Sequence, residues 1–166
     1  VLRTSIGKSQ TEGVLNWLSF PACLFATGTR GFFVEAIKRK AFNVIITTCG
    51  TLDHDIARTY HDYYHGSFEL DDVELGGQGL NRLGNVIVPN ECYGEILEKS
   101  VLPWIQEIED ERRKMNPENP WRGFGSIELC WAFGDRIDDE SSLLHWAAKH
   151  RIPIVVPGLS DGSVGA

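Results

Sequence analysis

The sequence has no long apolar run. Nothing in its 166 residues approaches the roughly 18 consecutive apolar residues a membrane-spanning helix needs, so no membrane partner is expected. The first ten residues, Val1 to Gln10, lack the apolar centre of an export signal. There is no excess of basic residues either: 16 Lys and Arg stand against 23 Asp and Glu, a formal net charge of −7. Binding to nucleic acid requires clustered cations, so no nucleic-acid partner is expected. An acidic chain suits a cationic partner or substrate, although such a surface more often serves solubility alone. The four cysteines, Cys23, Cys49, Cys92 and Cys130, form no C-x-x-C pair, which removes the usual zinc and dithiol motifs. The dinucleotide fingerprint G-x-G-x-x-G is also missing. With 17 Gly, seven Pro and no low-complexity stretch, the chain has the composition of one globular domain over residues 1–166.

What is present is an alternation of short apolar runs and amphipathic stretches. Trp17 to Phe25 is apolar and ends in Ala26-Thr27-Gly28-Thr29-Arg30-Gly31. Gly31 to Lys40 has helical spacing, with Phe33, Val34 and Ile37 on one face and cations at its carboxyl end. Asn43 to Thr48 is a β-branched run without alternation, the pattern of a parallel strand buried on both faces. It leads through Cys49-Gly50-Thr51 into a helix start at Asp53-His54-Asp55. Gly66 to Asn85, rich in Gly and acids, reads as a loop or irregular excursion. Val86 to Val88 reads as a strand, and Ile96 to Arg113 as a helix with Ile96, Leu97, Val101, Trp104, Ile105 and Ile108 on its apolar face. Asn116 to Arg122 reads as a linker, Ser126 to Asp135 and Ser141 to His150 as helices, and Ile152 to Val156 as another buried strand. The pattern predicts an α/β fold with a mostly parallel sheet flanked by helices.

Ligands of such sheets gather beyond the carboxyl ends of the strands. Two strands here run into Gly-bearing turns, Thr47 to Thr51 and Pro157 to Ser163. The first leads into a helix whose free N–H groups attract phosphate, and Asp161 in the second could accept hydrogen bonds from a ribose. Equally, these glycines could serve tight turns and nothing more. His61 and His65, at i and i+4 with Asp62 between them, could hold a divalent metal, or could belong to a solvated helix face. Trp104, Trp121, Trp131 and Trp146 read as core rather than stacking platforms. Cys23, Cys49 and Cys130 sit among apolar neighbours and read as buried free thiols, as expected of a cytoplasmic protein.

Four stretches taken together resemble the deoxyhypusine synthase family. They are Ala22 to Gly31; Thr47 to Asp55; Asn81 to Asn85 with Val88 to Tyr93; and Ile152 to Ser163, in the family's order and at similar separations. The resemblance covers nearly all the chain from Leu18 onwards, and its short amino end looks archaeal. It implies a Rossmann-like α/β tetramer, with active sites at subunit interfaces, that is incomplete here without a carboxyl-terminal half. It further implies an NAD-dependent transferase that oxidises spermidine and passes its aminobutyl group, through an enzyme lysine, to a lysine of translation initiation factor 5A. By position, Ala22, Cys23, Leu24, Phe25, Ala26, Thr48, Cys49, Gly50, His54 and Asp161 would contact NAD. Asp53, His54 and Tyr93 would face the amine. His54 stands where eukaryotic members carry Glu, Cys23 where they carry Asn, and Ala166 where they carry a substrate-binding Asp. None of Lys8, Lys38, Lys40, Lys99, Lys114 and Lys149 lies in the family's Trp-Gly-Lys motif, so no catalytic residue is expected in this chain. It would be either a fragment or one chain of a split protein in a homo- or hetero-tetramer, with the nucleophile supplied by the missing half. Synthesis of homospermidine or another polyamine, and a non-catalytic regulatory subunit, are the alternatives.

Overall fold

A computed structural model describes residues 13–119, 123 and 125–165. Ala166, Trp121 and the amino-terminal residues Val1 to Gln10 lie outside the described residues. Strand β1 (Trp17–Phe20), β2 (Val44–Thr47) and β6 (Ile154–Val155) form a parallel sheet in the order β1-β2-β6. Trp17 pairs with Val44 and Ile45 with Ile154, so β2 is the middle strand. Between and around these strands run α1 (Ala22–Leu24), which continues through the turn Phe25–Thr29 into α2 (Arg30–Lys38), and then α3 (Gly50–Tyr60). The remaining helices are α4 (Asp72–Gly77), α5 (Glu95–Met115), α6 (Ser126–Gly134) and α7 (Leu143–His150). The α/β architecture with a helix-flanked parallel sheet is therefore as the alternation predicts.

The apolar stretch from Trp17 to Phe25 is not one element. Pro21, in an extended conformation, ends β1 and starts α1, since its ring cannot continue a ladder. Helix α3 begins at Gly50, three residues before the expected start, because the turn after β2 is already helical at Cys49. The excursion from 66 to 85 is more ordered than its composition suggests. Asp71 caps α4 by accepting from the N–H groups of Val73 and Glu74. Strand β4 (Leu80–Leu83) then turns through Gly84-Asn85 into β5 (Val86–Pro89). With β3 (Tyr64–His65), these make a second, antiparallel sheet in the order β3-β5-β4. Arg82 fastens α4 to it through a two-pronged pairing with Asp72, at 2.7 and 2.8 Å. The His61/His65 helix face does not exist: α3 stops at Tyr60, His61 is extended, and His65 lies in β3. His61 instead sits 3.2 Å from Glu91, and the described residues contain no cluster of three potential metal ligands.

The core joins the parallel sheet to its helices. Phe20, Ile45 and Ile154 from the strands meet Phe25, Phe33, Ile37, Leu52, Ile56, Phe133, Leu143 and Leu144 from the helices. The face expected on α5 is recovered at Leu97, Val101 and Ile108, but Ile105 is 40% exposed. Trp104 packs on Phe133 with centroids 5.8 Å apart, and Trp146 is buried, in keeping with a core role. Cys49, Cys92 and Cys130 are buried free thiols, whereas Cys23 is exposed because α1 turns it outward. No helix among the described residues is long and apolar enough to cross a membrane.

Inside this core lies an ion pair that the sequence pattern does not reveal. Asp55 on α3 is fully buried and Arg30 at the start of α2 is 7% exposed. Arg30 Nε donates to Asp55 Oδ1 at 3.1 Å, and its Nη1 donates to Ser141 Oγ at 2.8 Å. The same carboxylate accepts the hydroxyl of Ser142 at 2.7 Å and the N–H groups of Leu143 and Leu144 at 3.1 and 2.8 Å. These amides open α7, where a negative charge is favoured by the helix dipole. Removing one member of such a pair strands the other charge in the interior. Asp55→Ala is accordingly expected to lower unfolding free energy by about 3–5 kcal/mol, read as a fall in the urea midpoint with an unchanged slope.

Candidate functional site

Where the three parallel strands end, their loops enclose a cleft of about 450 Å³, within the range of small-molecule sites. Ser19, Phe20 and Pro21 come from the end of β1; Ile46, Thr47 and Thr48 from the end of β2; Pro157, Gly158 and Asp161 from the turn after β6. The rim is tied together by hydroxyls. Thr47 Oγ1 donates to the Phe20 carbonyl at 2.7 Å and lies 2.7 Å from Thr51 Oγ1, while Thr48 Oγ1 accepts the Ala22 N–H at 3.0 Å. The carboxylate of Asp161 makes no side-chain hydrogen bond among the described residues. It lies so near Gly158 that a Cβ there would come within 2.0 Å of Oδ2.

Of the residues singled out in the sequence, Thr48 and Asp161 line this cleft. Ala22 borders it through its bond to Thr48, and Cys23 and Leu24 are exposed on α1. Phe25 and Ala26 are fully buried and point into the core. Gly50 faces Ala22: a Cβ at Gly50 would stand 3.0 Å from the Ala22 Cβ, so this glycine lets α3 approach α1. Cys49 is buried beneath the last turn of the chain, where a Cβ at Gly162 would meet its Sγ at 2.9 Å. Burial, reinforced by nearby Asp53, pushes the Cys49 thiol up to about 11. The sequence pattern missed Ser19, Phe20 and Pro21, because the strand end at Phe20 is hidden inside a continuous apolar run. The spacing Gly158-x-Ser160-x-Gly162 is that of a nucleophile elbow, but Ser160 is exposed in the short 3-10 turn Leu159–Asp161 and hydrogen-bonds to no histidine among the described residues.

Asp53, His54 and Tyr93 gather on the other side of that turn. Asp53 accepts the N–H groups of Ser163 and Val164, at 3.0 and 2.9 Å, with one oxygen each. Its carboxyl pKa is raised by burial, against the lowering effect of those two bonds. His54 touches Tyr93 edge-on, with centroids 6.2 Å apart, and its Nδ1 lies 2.7 Å from the hydroxyl of Tyr63. Burial, and then the charge of Arg58, lowers His54 to about 4, so the ring is neutral at pH 7. A second cavity of about 370 Å³ opens here, lined by Tyr93, Leu97, Glu98, Val101, Leu102, Ser163 and Val164 among others. The segment from 157 to 164 therefore walls both cavities. Ala166, also singled out in the sequence, lies outside the described residues.

Comparison with known proteins places the chain in a family. A family model described as deoxyhypusine synthase matches residues 4–166. A protein of Picrophilus torridus named probable deoxyhypusine synthase is 52% identical over 150 residues, which is 90% of this chain and 45% of that protein. One of the same name from Thermoplasma acidophilum is 46% identical over 156 residues, 94% of this chain and 47% of the relative. The chain thus spans about half the length of the curated relatives it matches. In fold it is similar to the crystal structure of a candidate deoxyhypusine synthase from Entamoeba histolytica, with a TM-score of 0.66 at 19% identity, covering 99% of this chain and 58% of that one.

Two outcomes follow from the packing. Gly50→Val is expected to cost about 1–3 kcal/mol by overpacking α1 against α3, seen as a lower melting temperature before any ligand is added. His54, with a folded pKa below its ordinary 6.5, stabilises the fold fully above that value and loses the contribution as pH falls towards 4. Melting temperature should therefore drop between pH 7 and pH 5, and the drop should shrink in His54→Gln.

Proposed function

Because the chain belongs to the deoxyhypusine synthase family, we propose that it supplies part of the NAD site of an enzyme that transfers the aminobutyl group of spermidine to a lysine of translation initiation factor 5A. The observation that carries this reading is the cleft at the carboxyl ends of β1, β2 and β6, with an uncommitted carboxylate on its rim. The residues present fit a dinucleotide. Phe20, Pro21, Ile46 and Pro157 offer apolar walls, Thr48 offers a hydroxyl already oriented by Ala22, and Asp161 offers the acceptor a ribose diol needs. Gly158 keeps the Asp161 carboxylate close to the backbone; a side chain there would displace it. Asp53 holds the Ser163–Val164 amides and so fixes the turn that carries Asp161. When bound, NAD supplies the hydride acceptor for oxidation of the amine.

In the same reading, Asp53, His54 and Tyr93 face the amine, and the nucleophilic lysine lies outside these 166 residues. None of the lysines among these 166 residues stands in a Trp-Gly-Lys motif, so transfer is expected only when residues carrying that motif are present. A cytoplasmic location accords with three buried thiols that are free. Labelled spermidine offered with factor 5A or with free putrescine separates protein modification from synthesis of another polyamine. Asp161→Ala should weaken NAD binding by about 1–3 kcal/mol, the worth of a charged hydrogen bond. Calorimetry showing the same affinity in both proteins would remove Asp161 from the site.

A further inference from the structure

The cleft leaves one part-buried hydrogen-bonded pair without a use. His54 lies one turn into α3 and is 9% exposed. Its Nδ1 is 2.7 Å from the hydroxyl oxygen of Tyr63, and its ring stands nearly perpendicular to those of Tyr63 and Tyr93. We infer that Tyr63 is a positioning residue: its hydroxyl donates to Nδ1 of His54 and holds the imidazole in the neutral form that carries its proton on Nε2. His54 then presents an N–H donor, which takes a carbonyl-type oxygen of a ligand and repels an ammonium.

The assignment follows from counting donors. A neutral imidazole has one donor and one acceptor nitrogen. If Nδ1 carried the proton, the Tyr63 hydroxyl would accept it and its own proton would have no partner among the described residues. A half-buried donor left unpaired is costly, so the reverse arrangement is favoured. Arg58 adds to this. Its guanidinium lies 5.0 Å over the Tyr63 ring, a cation that makes the phenol a better donor and opposes a second positive charge on the imidazole. Burial acts in the same direction on both rings, lowering His54 and raising Tyr63 so that each stays neutral. Nε2 has no partner among the described residues, and no buried side-chain nitrogen or oxygen there is left unpaired, so Nε2 is the ring nitrogen that reaches solvent.

This deepens the proposed function and rests on it in one respect: the group meeting Nε2 is taken to belong to the cofactor or substrate. Where a carboxylate at this position would attract an amine, the His54–Tyr63 pair selects an uncharged acceptor such as a carboxamide oxygen. The polyamine's charges must then be met elsewhere.

Long-range proton–nitrogen correlation on the nitrogen-15-labelled chain at pH 7, without ligand, tests the pair directly. The expected spectrum shows His54 Nδ1 unprotonated and Nε2 protonated. Tyr63→Phe keeps the ring and removes only the hydroxyl, and should move the two ring nitrogens towards each other as both tautomers become populated. Tyr93→Phe should leave them in place, because Tyr93 meets His54 through its ring. A proton on Nδ1 in the unsubstituted chain overturns the inference, as does a Tyr63→Phe spectrum with an unchanged tautomer. If Tyr63→Phe fails to fold, the first spectrum alone decides. No ligand enters this measurement, so its failure is separable from failure of the NAD reading, which the Asp161→Ala calorimetry reports.

Discussion

The buried contact between Arg30 and Asp55 is the constraint on which the rest of the structure hangs. One carboxylate receives a guanidinium from α2, a hydroxyl from Ser142 and two amides from the first turn of α7. It thereby ties α2 and α7 to α3, and α3 also carries Gly50, Asp53 and His54. A charge in the interior is tolerable only when its lone pairs are all engaged, and here every one has a named partner. Such a group cannot relax by small steps, because any shift of α2 or α7 leaves a charge or an amide unmet. The cleft is built on helices and strand ends whose relative placement follows from this pin.

A second carboxylate on the same helix does similar work at shorter range. Asp53 and Asp55 are two residues apart and so project from different sides of α3. Asp55 points to the core and organises α7, while Asp53 points to the last turn of the chain and holds Ser163 and Val164. The family resemblance gave Asp53 a place near the amine. In the structure each of its oxygens accepts one backbone amide, so Asp53 holds the turn that carries Asp161.

Much of the fold was legible because burial leaves a periodic trace. The β-branched run at Val44–Thr47 and the helical spacing of Phe33, Val34 and Ile37 both predicted elements that the structure contains. The antiparallel sheet was not legible. Leu80 to Leu83 is half-buried throughout, so its residues lack the alternation that marks a strand with one dry face. The ion pair escaped for a different reason: Arg30 and Asp55 are 25 residues apart, and nothing in a local pattern distinguishes a buried charge from a solvated one. The site was half legible. Thr48 and Asp161 follow strands that the pattern identified, whereas Ser19 to Pro21 follow one that a continuous apolar run concealed, and Tyr63 sits in a polar stretch with no periodicity at all.

Cys49 carries a consequence of its own. Its sulfur lies beside the cleft but under Gly162, and burial together with the Asp53 charge keeps it protonated far above neutral pH. Attack on peroxides and alkylating agents requires the thiolate and an open approach, and this sulfur has neither. Cys49 is thus shielded from such attack, whereas Cys23, out on the surface, is open to it.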